Sequence, residues 1–525
     1  MKSFLSNLKK HQLISGLLLS LWLAVNVYVI LATSSTKSWQ IKEILAFILG
    51  NLLIFLALFY CHFFYQKAKE VPELSETILN QRFKRSLLLL GLLILILPFF
   101  FIIHVPDSAH NWDFFEVFNN TSYLHGRNFS YLPFTEDERL YFMRYPNNQL
   151  FGMFYNALFA PFGLTAKIWL STALSAVLTS LSVIAGSFLT QAISNRKFAY
   201  LYNLLALVFL PFYLYGAELY TDTLSLPFVV LGLLFLIYAI KAEKLSRQIT
   251  WSIASCLLVF LGYNIKPTVL IPFIAVLFYL LLKKQWKKLL LILTLAAILF
   301  FGIHTTVKVV ISSDPTFSAK NNDRYNLPMM HWITMSFAPE NKWGGFNRQV
   351  LEYSESFTSV KSKKAADLKL FIHNLKKQGV PGVLLQLWRK ISYTWLNGDL
   401  SDFFYTYRHQ NPLVFQLFDW TSFKPKEGNF TGWLLIKAAQ TVFWIGIVFF
   451  MFYEIGRSIK RFFQKKVDIF FIPAISMLGL SVFLLIWEAN SRYLYNFAPI
   501  MLMLAVSGLL HYLQKRKENS DELPQ

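Results

Sequence analysis

The sequence predicts an all-α, polytopic membrane helix bundle of about twelve transmembrane helices, with two large loops on its outer face. Three observations predict it. The 525 residues are 55% hydrophobic and 15% charged, with mean hydropathy +0.44, whereas soluble domains carry about 25% charged residues. Apolar runs long enough to cross roughly 30 Å of hydrocarbon at about 1.5 Å per residue recur along the chain. Basic residues gather in every second connection between those runs.

The runs lie near 13–32, 44–65, 86–104, 165–190, 198–216, 222–240, 249–264, 267–282, 288–309, 431–453, 468–486 and 494–513. The first has the basic start of a signal peptide, but its apolar region exceeds the roughly 7–15 residues of one, which predicts an uncleaved helix. Pro267 and the short lengths of the pair 249–282 suit either two spans or one broken, re-entrant hairpin.

The net charge of +21 follows this topology. Lys2, Lys9 and Lys10 precede the first run, and Lys67, Lys69, Arg82, Lys84 and Arg85 fill the second connection. Further basic clusters stand at Arg196 and Lys197, Lys241 to Arg247, Lys283 to Lys288, Arg457 to Lys466 and Lys515 to Lys517. The positive-inside rule therefore places the chain in the cell membrane, multi-pass, with both termini cytoplasmic. A nucleic-acid site needs its cations on one solvated face, so no nucleic-acid partner is expected.

The remaining connections face outward. The expected organisation is a two-helix N-terminal segment over 1–85 and a transmembrane core over 86–309, with a first outer loop at 106–164. An outer-face loop domain over 310–430 follows, then C-terminal helices and a cytoplasmic tail over 431–525. Leu150 to Gly163 reads as a short apolar helix and Ala365 to Lys377 as an amphipathic one. The aromatic stretch from Trp388 to Tyr407 reads as interfacial anchoring. No internal repeat is evident, which weakens a carrier built from duplicated halves.

Cys61 and Cys256 both fall in apolar runs, so neither a disulfide framework nor a metal-ligand spacing is present. There is no phosphate-cradling Gly-rich loop, zinc-spaced His and Cys set or nucleophile elbow. No cofactor is expected and no metal is predicted. The cytoplasmic connections are too short for a nucleotide-binding domain.

The chemistry-bearing residues collect on the outer face. A polar island, His110 to Glu116, follows the apolar run ending at His104 and Val105, and carries Asp113 and Glu116. Glu218 and Asp222 flank a tight turn, Lys266 precedes Pro267, and Arg144 opens an Arg-Tyr-Pro segment. His331 lies in the second large loop, and Glu488, Asn490 and Arg492 lie between the last two runs. Each has a plain structural role open to it: Asp113 as a helix cap, Glu218 and Asp222 as turn residues, Lys266 and Arg492 as snorkelling cations. Together they suit an anionic lipid, with a carboxylate as general base on a hydroxyl and Arg and Lys stabilising a phosphate leaving group.

In this layout the chain resembles the GT-C superfamily of integral-membrane glycosyltransferases, close to the family-39 protein mannosyltransferase and aminoarabinose transferase type. Asp113 matches the position of that family's catalytic base in a first large outer loop. The segment from Tyr145 and Pro146 to Phe162 and Gly163 is similar to the family's pattern. So are Tyr220 to Thr223 before a span, Asn264 to Thr268 inside a hairpin, and Ser491 to Tyr493 before a late span with a basic tail. The family often has an adjacent acidic pair where Asp113 and Glu116 stand apart, and two spans here precede the catalytic loop. Pro328 to Trp332 with Gly344 to Asn347 look like a feature of uncharacterised bacterial members.

The resemblance implies inverting transfer of a sugar from a polyprenyl-phosphate-linked donor to a cell-surface polymer, lipid or protein acceptor on the outer face. Asp113 would take the acceptor proton, and Arg492, Lys266 and Arg144 would hold the donor phosphate. Glu116, Glu218, Asp222, His331 and Glu488 would contact substrate. A carboxylate is a weak base, so orientation and phosphate stabilisation would supply most of the rate. The competing readings are a lipid-linked sugar flippase or transporter, a polysaccharide polymerase or ligase, and a non-catalytic partner in an envelope complex. Carriers place ionisable residues near the midplane in broken helices, whereas here they gather at outer ends. Sequons at Asn120, Asn128 and Asn429 all lie on the assigned outer face.

Overall fold

The computed structural model describes residues 41–100, 113–341, 343–402 and 431–521, together with parts of 19–31. Most of the expected first span, the start of the polar island from His110 to Trp112, the end of the aromatic stretch beyond residue 402 and the Asn429 sequon lie outside the described residues. Regular structure among the described residues is helical throughout, which is how a chain in hydrocarbon satisfies its own backbone. Eight of these helices are long and apolar enough to cross a membrane, and a bent pair makes a ninth.

Helices α1 (Ile41–Glu70) and α2 (Glu76–Ile96) are joined by a turn containing Pro72, and the Ser75 hydroxyl caps α2 by accepting from the Ile78 amide at 3.5 Å. The expected boundary at residue 85 therefore falls inside a helix. Gln81, Arg82, Lys84 and Arg85 are good helix formers and extend the span beyond the hydrocarbon.

The first outer segment folds as α3 (Asp113–Leu124), α4 (Arg139–Arg144) and α5 (Pro146–Phe159). Proline at the first helical position starts α5 ahead of the expected residue 150. Next come α6 (Leu164–Ile193), α7 (Arg196–Leu207, capped by Asn195) and the short α8 (Pro211–Leu214). The expected straight span 198–216 is instead broken, its two arms bent by 69°. Pro211 lacks the amide that would continue α7. The Leu207 carbonyl that this proline leaves without an amide accepts from the Tyr213 hydroxyl at 2.8 Å, and the end of the second arm is held from α6, where Thr172 donates to the Ala217 carbonyl at 2.7 Å and Ser175 to that of Glu218 at 2.9 Å.

The core continues with α9 (Thr221–Lys241), α10 (Leu245–Tyr263), α11 (Leu270–Leu282) and α12 (Trp286–Ser312). The pair 249–282 is thus two helices, and the stretch Pro267–Leu282 is shorter than a full span. The second outer segment comprises α13 (Ala319–Tyr325), α14 (Met329–Ser336), α15 (Arg348–Glu355) and α16 (Val360–Trp395). The last of these contains the expected helix at 365–377 and bends at Gly379, whose φ of 61° only glycine adopts cheaply. The chain closes with α17 (Thr431–Phe463), α18 (Phe471–Ile486), the turn Ser491–Phe497 and α19 (Ala498–Asp521).

Burial identifies the centre of the bundle. The apolar window is 78% buried in α9 and 89% buried in the span containing α19, against 11% in α12 and 17% in α1. α17 packs closely on α19 because Gly508 has no side chain; a Cβ there would lie 1.9 Å from the Phe450 carbonyl oxygen. The two most buried helices begin at the same end of the molecule. Asp222 stands in the first turn of α9, and Arg492 in the turn that leads into α19.

Candidate active site

Asp222 and Lys266 form a buried ion pair beneath this end of the bundle, their side chains 3% and 12% exposed. Arg492, 6% exposed, reaches both carboxylates: its Nε lies 3.4 Å from Asp222 Oδ2 and its Nη2 3.8 Å from Asp113 Oδ2. Two cations and two carboxylates thus neutralise one another in a low-dielectric recess, where any one alone would be costly. Tyr220 and Tyr493 enclose the guanidinium, their ring centres 5.5 and 5.6 Å from its carbon. Tyr493 also receives the Lys266 ammonium over its face at 4.8 Å.

The turn that presents Arg492 is fixed by its own side chains. Asn490 caps it by accepting from the Arg492 amide at 3.0 Å, and Asn496 reaches Ser225 of α9 and Thr268 at 3.4 and 3.3 Å. Asp113 is held from the other side. The Tyr141 hydroxyl donates to Asp113 Oδ1 at 3.0 Å, and Asn148 donates to that hydroxyl at 2.6 Å. Yet the Asp113 side chain remains 41% exposed. It is the one carboxylate of the four-residue cluster that faces outward while held on two sides by donors.

Glu488 joins this group through Tyr493, whose hydroxyl donates to its Oε2 at 3.1 Å. Part of its surface is accessible, but burial, followed by the nearby Asp113 charge, pushes its carboxyl up to about 7. Glu116, one turn beyond Asp113 on α3, stands in an acidic neighbourhood. Burial, then Asp137, Asp113 and Glu138, raises it to about 8.

Three other expected residues lie elsewhere. Arg144 is buried and forks onto Glu355 of α15, with Nη2 at 3.0 Å from Oε2 and a longer contact of 3.8 Å to Glu136. This pairing ties the first outer segment to the second. His331 is 1% exposed, its Nδ1 2.8 Å from the Ser354 hydroxyl, which donates to Asp367 at 2.7 Å. Burial pulls the imidazole down to about 4, so it is a neutral core residue. Glu218 is buried beside the break after α8, and its carbonyl accepts from Ser175 and Thr223.

The structure adds residues that the sequence patterns did not single out. Tyr141 and Asn148 are identified only by contact, and Tyr220 and Tyr493, which stand in motifs already of interest, acquire a role only by their contact with Arg492 and Lys266. Lys390 of α16 is 1% exposed and donates to the carbonyls of Leu485 and Trp487, each at 2.7 Å, and to Ser336 at 2.9 Å. It caps the C-terminal end of α18 immediately before Glu488, where cations favour the helix dipole. Trp332 of α14 stacks on Trp487 at 5.3 Å and 15°, closing the same seam. Lys390 follows Arg389 in the aromatic stretch read as interfacial anchoring, where a lysine is expected to reach water, so nothing in its local pattern marks it as buried.

The profile of the family described as conserved hypothetical integral membrane proteins matches residues 11–510. None of the curated proteins matches the sequence. Among solved structures, the chain is similar to the oligosaccharyltransferase of Archaeoglobus fulgidus in its apo form, with 14% identity and a TM-score of 0.40, covering 84% of this chain and 52% of that one. The chain therefore spans about half the length of that enzyme. It is also similar to ArnT from Cupriavidus metallidurans bound to undecaprenyl phosphate, with 11% identity and a TM-score of 0.34, over 83% and 78% of the two chains.

Proposed function

The chain belongs to the family of conserved hypothetical integral membrane proteins, and we propose that it is a glycosyltransferase using a polyprenyl-phosphate-linked sugar. In this reading the acceptor is a cell-surface polymer, lipid or protein at the outer face, both termini are cytoplasmic, and the anomeric centre inverts. The single observation that carries it is Asp113, a carboxylate left 41% exposed while Tyr141 and Arg492 hold it.

An acceptor hydroxyl approaches Asp113, which takes its proton as the oxygen attacks the anomeric carbon. The bond from that carbon to the phosphate oxygen breaks on the opposite face, and the electron pair leaves with the polyprenyl phosphate. Arg492 stabilises the developing phosphate charge, being the cation nearest Asp113. We assign Lys266 the task of compensating Asp222, which keeps Arg492 aimed at Asp113. Glu488 flanks the acceptor side, and its raised carboxyl gives it a proton to donate near neutral pH. Arg144 and His331 are assigned to holding the outer segments together, and Glu116 and Glu218 to the walls of the site.

The test is transfer of radiolabelled sugar from synthetic polyprenyl-phosphate sugars to envelope acceptors, with purified wild type and Asp113→Asn in liposomes. Label transfer by wild type alone supports the reading. Equal transfer by Asp113→Asn rejects Asp113 as the base, and label that crosses the bilayer without being transferred would make the protein a flippase.

A further inference from the structure

A cleft of about 1330 Å³ opens at the end of the bundle opposite Asp113, lined by the last turns of α1, by α19 and by the first turn of α7. Among the described residues the lining includes Lys69, Lys197, Arg516 and Lys517 and the carboxylate of Glu73, and Lys69, Lys197 and Arg516 are the cations that suit it to a bound anion. Glu70, beside Lys69 in sequence, is taken instead by Lys67 at 2.7 Å. Lys69 lies 4.6 Å from the centre of the Tyr65 ring and Arg516 5.9 Å from that of Tyr512. Two of the cations are thus laid along aromatic walls, while Lys197 donates to the Pro72 carbonyl at 2.8 Å and ties α7 to the turn after α1.

Gathering like charges in a partly enclosed recess costs energy that a bound anion recovers. Phe198, Leu510 and Leu513 make part of the lining apolar, and the cleft is larger than the roughly 300–1,000 Å³ of a small-molecule pocket. It lies where the spans formed by α1 and α19 end. We infer that this cleft binds a phosphate-bearing anion, and that its mixed lining selects the head of an anionic phospholipid over a soluble polyphosphate. This site is independent of the reaction assigned to Asp113.

The experiment titrates the full chain in detergent with phosphatidylglycerol, phosphatidylcholine or pyrophosphate, reading bound ligand by native mass spectrometry. Wild type is compared with Lys69→Gln/Arg516→Gln and with Lys284→Gln/Lys287→Gln, which removes two exposed cations, one from the connection between α11 and α12 and one from the first turn of α12. All four side chains are exposed, so none of these changes disturbs the core. Each cation near a lipid surface contributes about fivefold in affinity, so the cleft variant should bind phosphatidylglycerol roughly 10- to 30-fold more weakly. The control should stay within about twofold of wild type. An equal loss in both variants, or equal binding of phosphatidylglycerol and phosphatidylcholine by wild type, would overturn the site. Pyrophosphate binding that disappears in the cleft variant, with phosphatidylglycerol indifferent to it, would overturn the lipid assignment and make the ligand soluble.

Discussion

Two ionic clusters stand at opposite ends of the bundle, and they differ in one carboxylate. Near the last cytoplasm-assigned connection, Glu454 accepts from Arg457 at 2.6 Å and lies 2.8 Å from His511 Nδ1, with its side chain 0% exposed. Asp468 binds Arg461 at 3.0 Å and lies 3.5 Å from Arg457. Every charge in that cluster is answered from within, and it joins α17, α19 and the start of α18. The Asp113 cluster is likewise built of cations and carboxylates, but its outermost carboxylate is 41% exposed, against 24% for Asp468 and 0% for Glu454. Buried charge by itself therefore marks no site. A cluster that closes on itself is a strut, and one that presents a held carboxylate outward is able to accept a proton from something else.

Substitutions sharpen this contrast, beginning with Asp113→Asn. It removes the base and leaves the donors around it, so transfer should fall by about 10²- to 10⁴-fold while the melting temperature in detergent stays put. Arg492→Lys keeps the charge but loses the planar fork that spans Asp113 and Asp222. We expect transfer to drop by about 10- to 100-fold, chiefly in kcat, because the leaving phosphate is stabilised mainly in the transition state.

The opposite cluster should behave in reverse. Glu454→Ala removes the buried acceptor shared by Arg457 and His511, leaving Arg457 only its longer contact to Asp468, and should cost about 1–3 kcal/mol of stability, with transfer per folded molecule unchanged. A Glu454→Ala protein that melts like wild type but has lost transfer would collapse the distinction drawn between the clusters. Lys390→Met lies between these cases. It leaves the Leu485 and Trp487 carbonyls without their donor, so a loss of about 1–3 kcal/mol is expected. A shifted pH profile for transfer should accompany it, since Glu488 follows directly; melting curves and pH–rate profiles of the same preparation separate the two effects.

The smallest effect concerns Glu116. Its carboxyl is raised from the ordinary 4.5 to about 8, so between these values the folded protein holds a proton that the unfolded chain has released. Stability therefore declines as pH rises through that window. Glu116→Gln should flatten the decline in melting temperature between about pH 5 and 8; an unchanged slope would show that other groups set it.

The amino-acid order alone determined the membrane class, the helix-only architecture and nearly every described span, because hydrocarbon thickness imposes long apolar runs and a helical backbone on any chain that crosses it. It also located Asp113, Asp222, Lys266 and Arg492 at one end, since polar residues between spans must lie at a boundary. It left three outcomes undecided. Pro211 was visible, but a 69° break was not, since the course of the arm beyond a proline depends on what holds its far end, here Thr172 and Ser175 of α6 on the Ala217 and Glu218 carbonyls. Arg144 looked like a phosphate ligand until Glu355, far along the chain, took its fork. Lys390 stands in a stretch read as interfacial anchoring, and its burial is decided by α16 packing over the end of α18. In each case the deciding partner is distant in sequence, and only tertiary packing determines whether a charge is answered by the protein or left for a substrate.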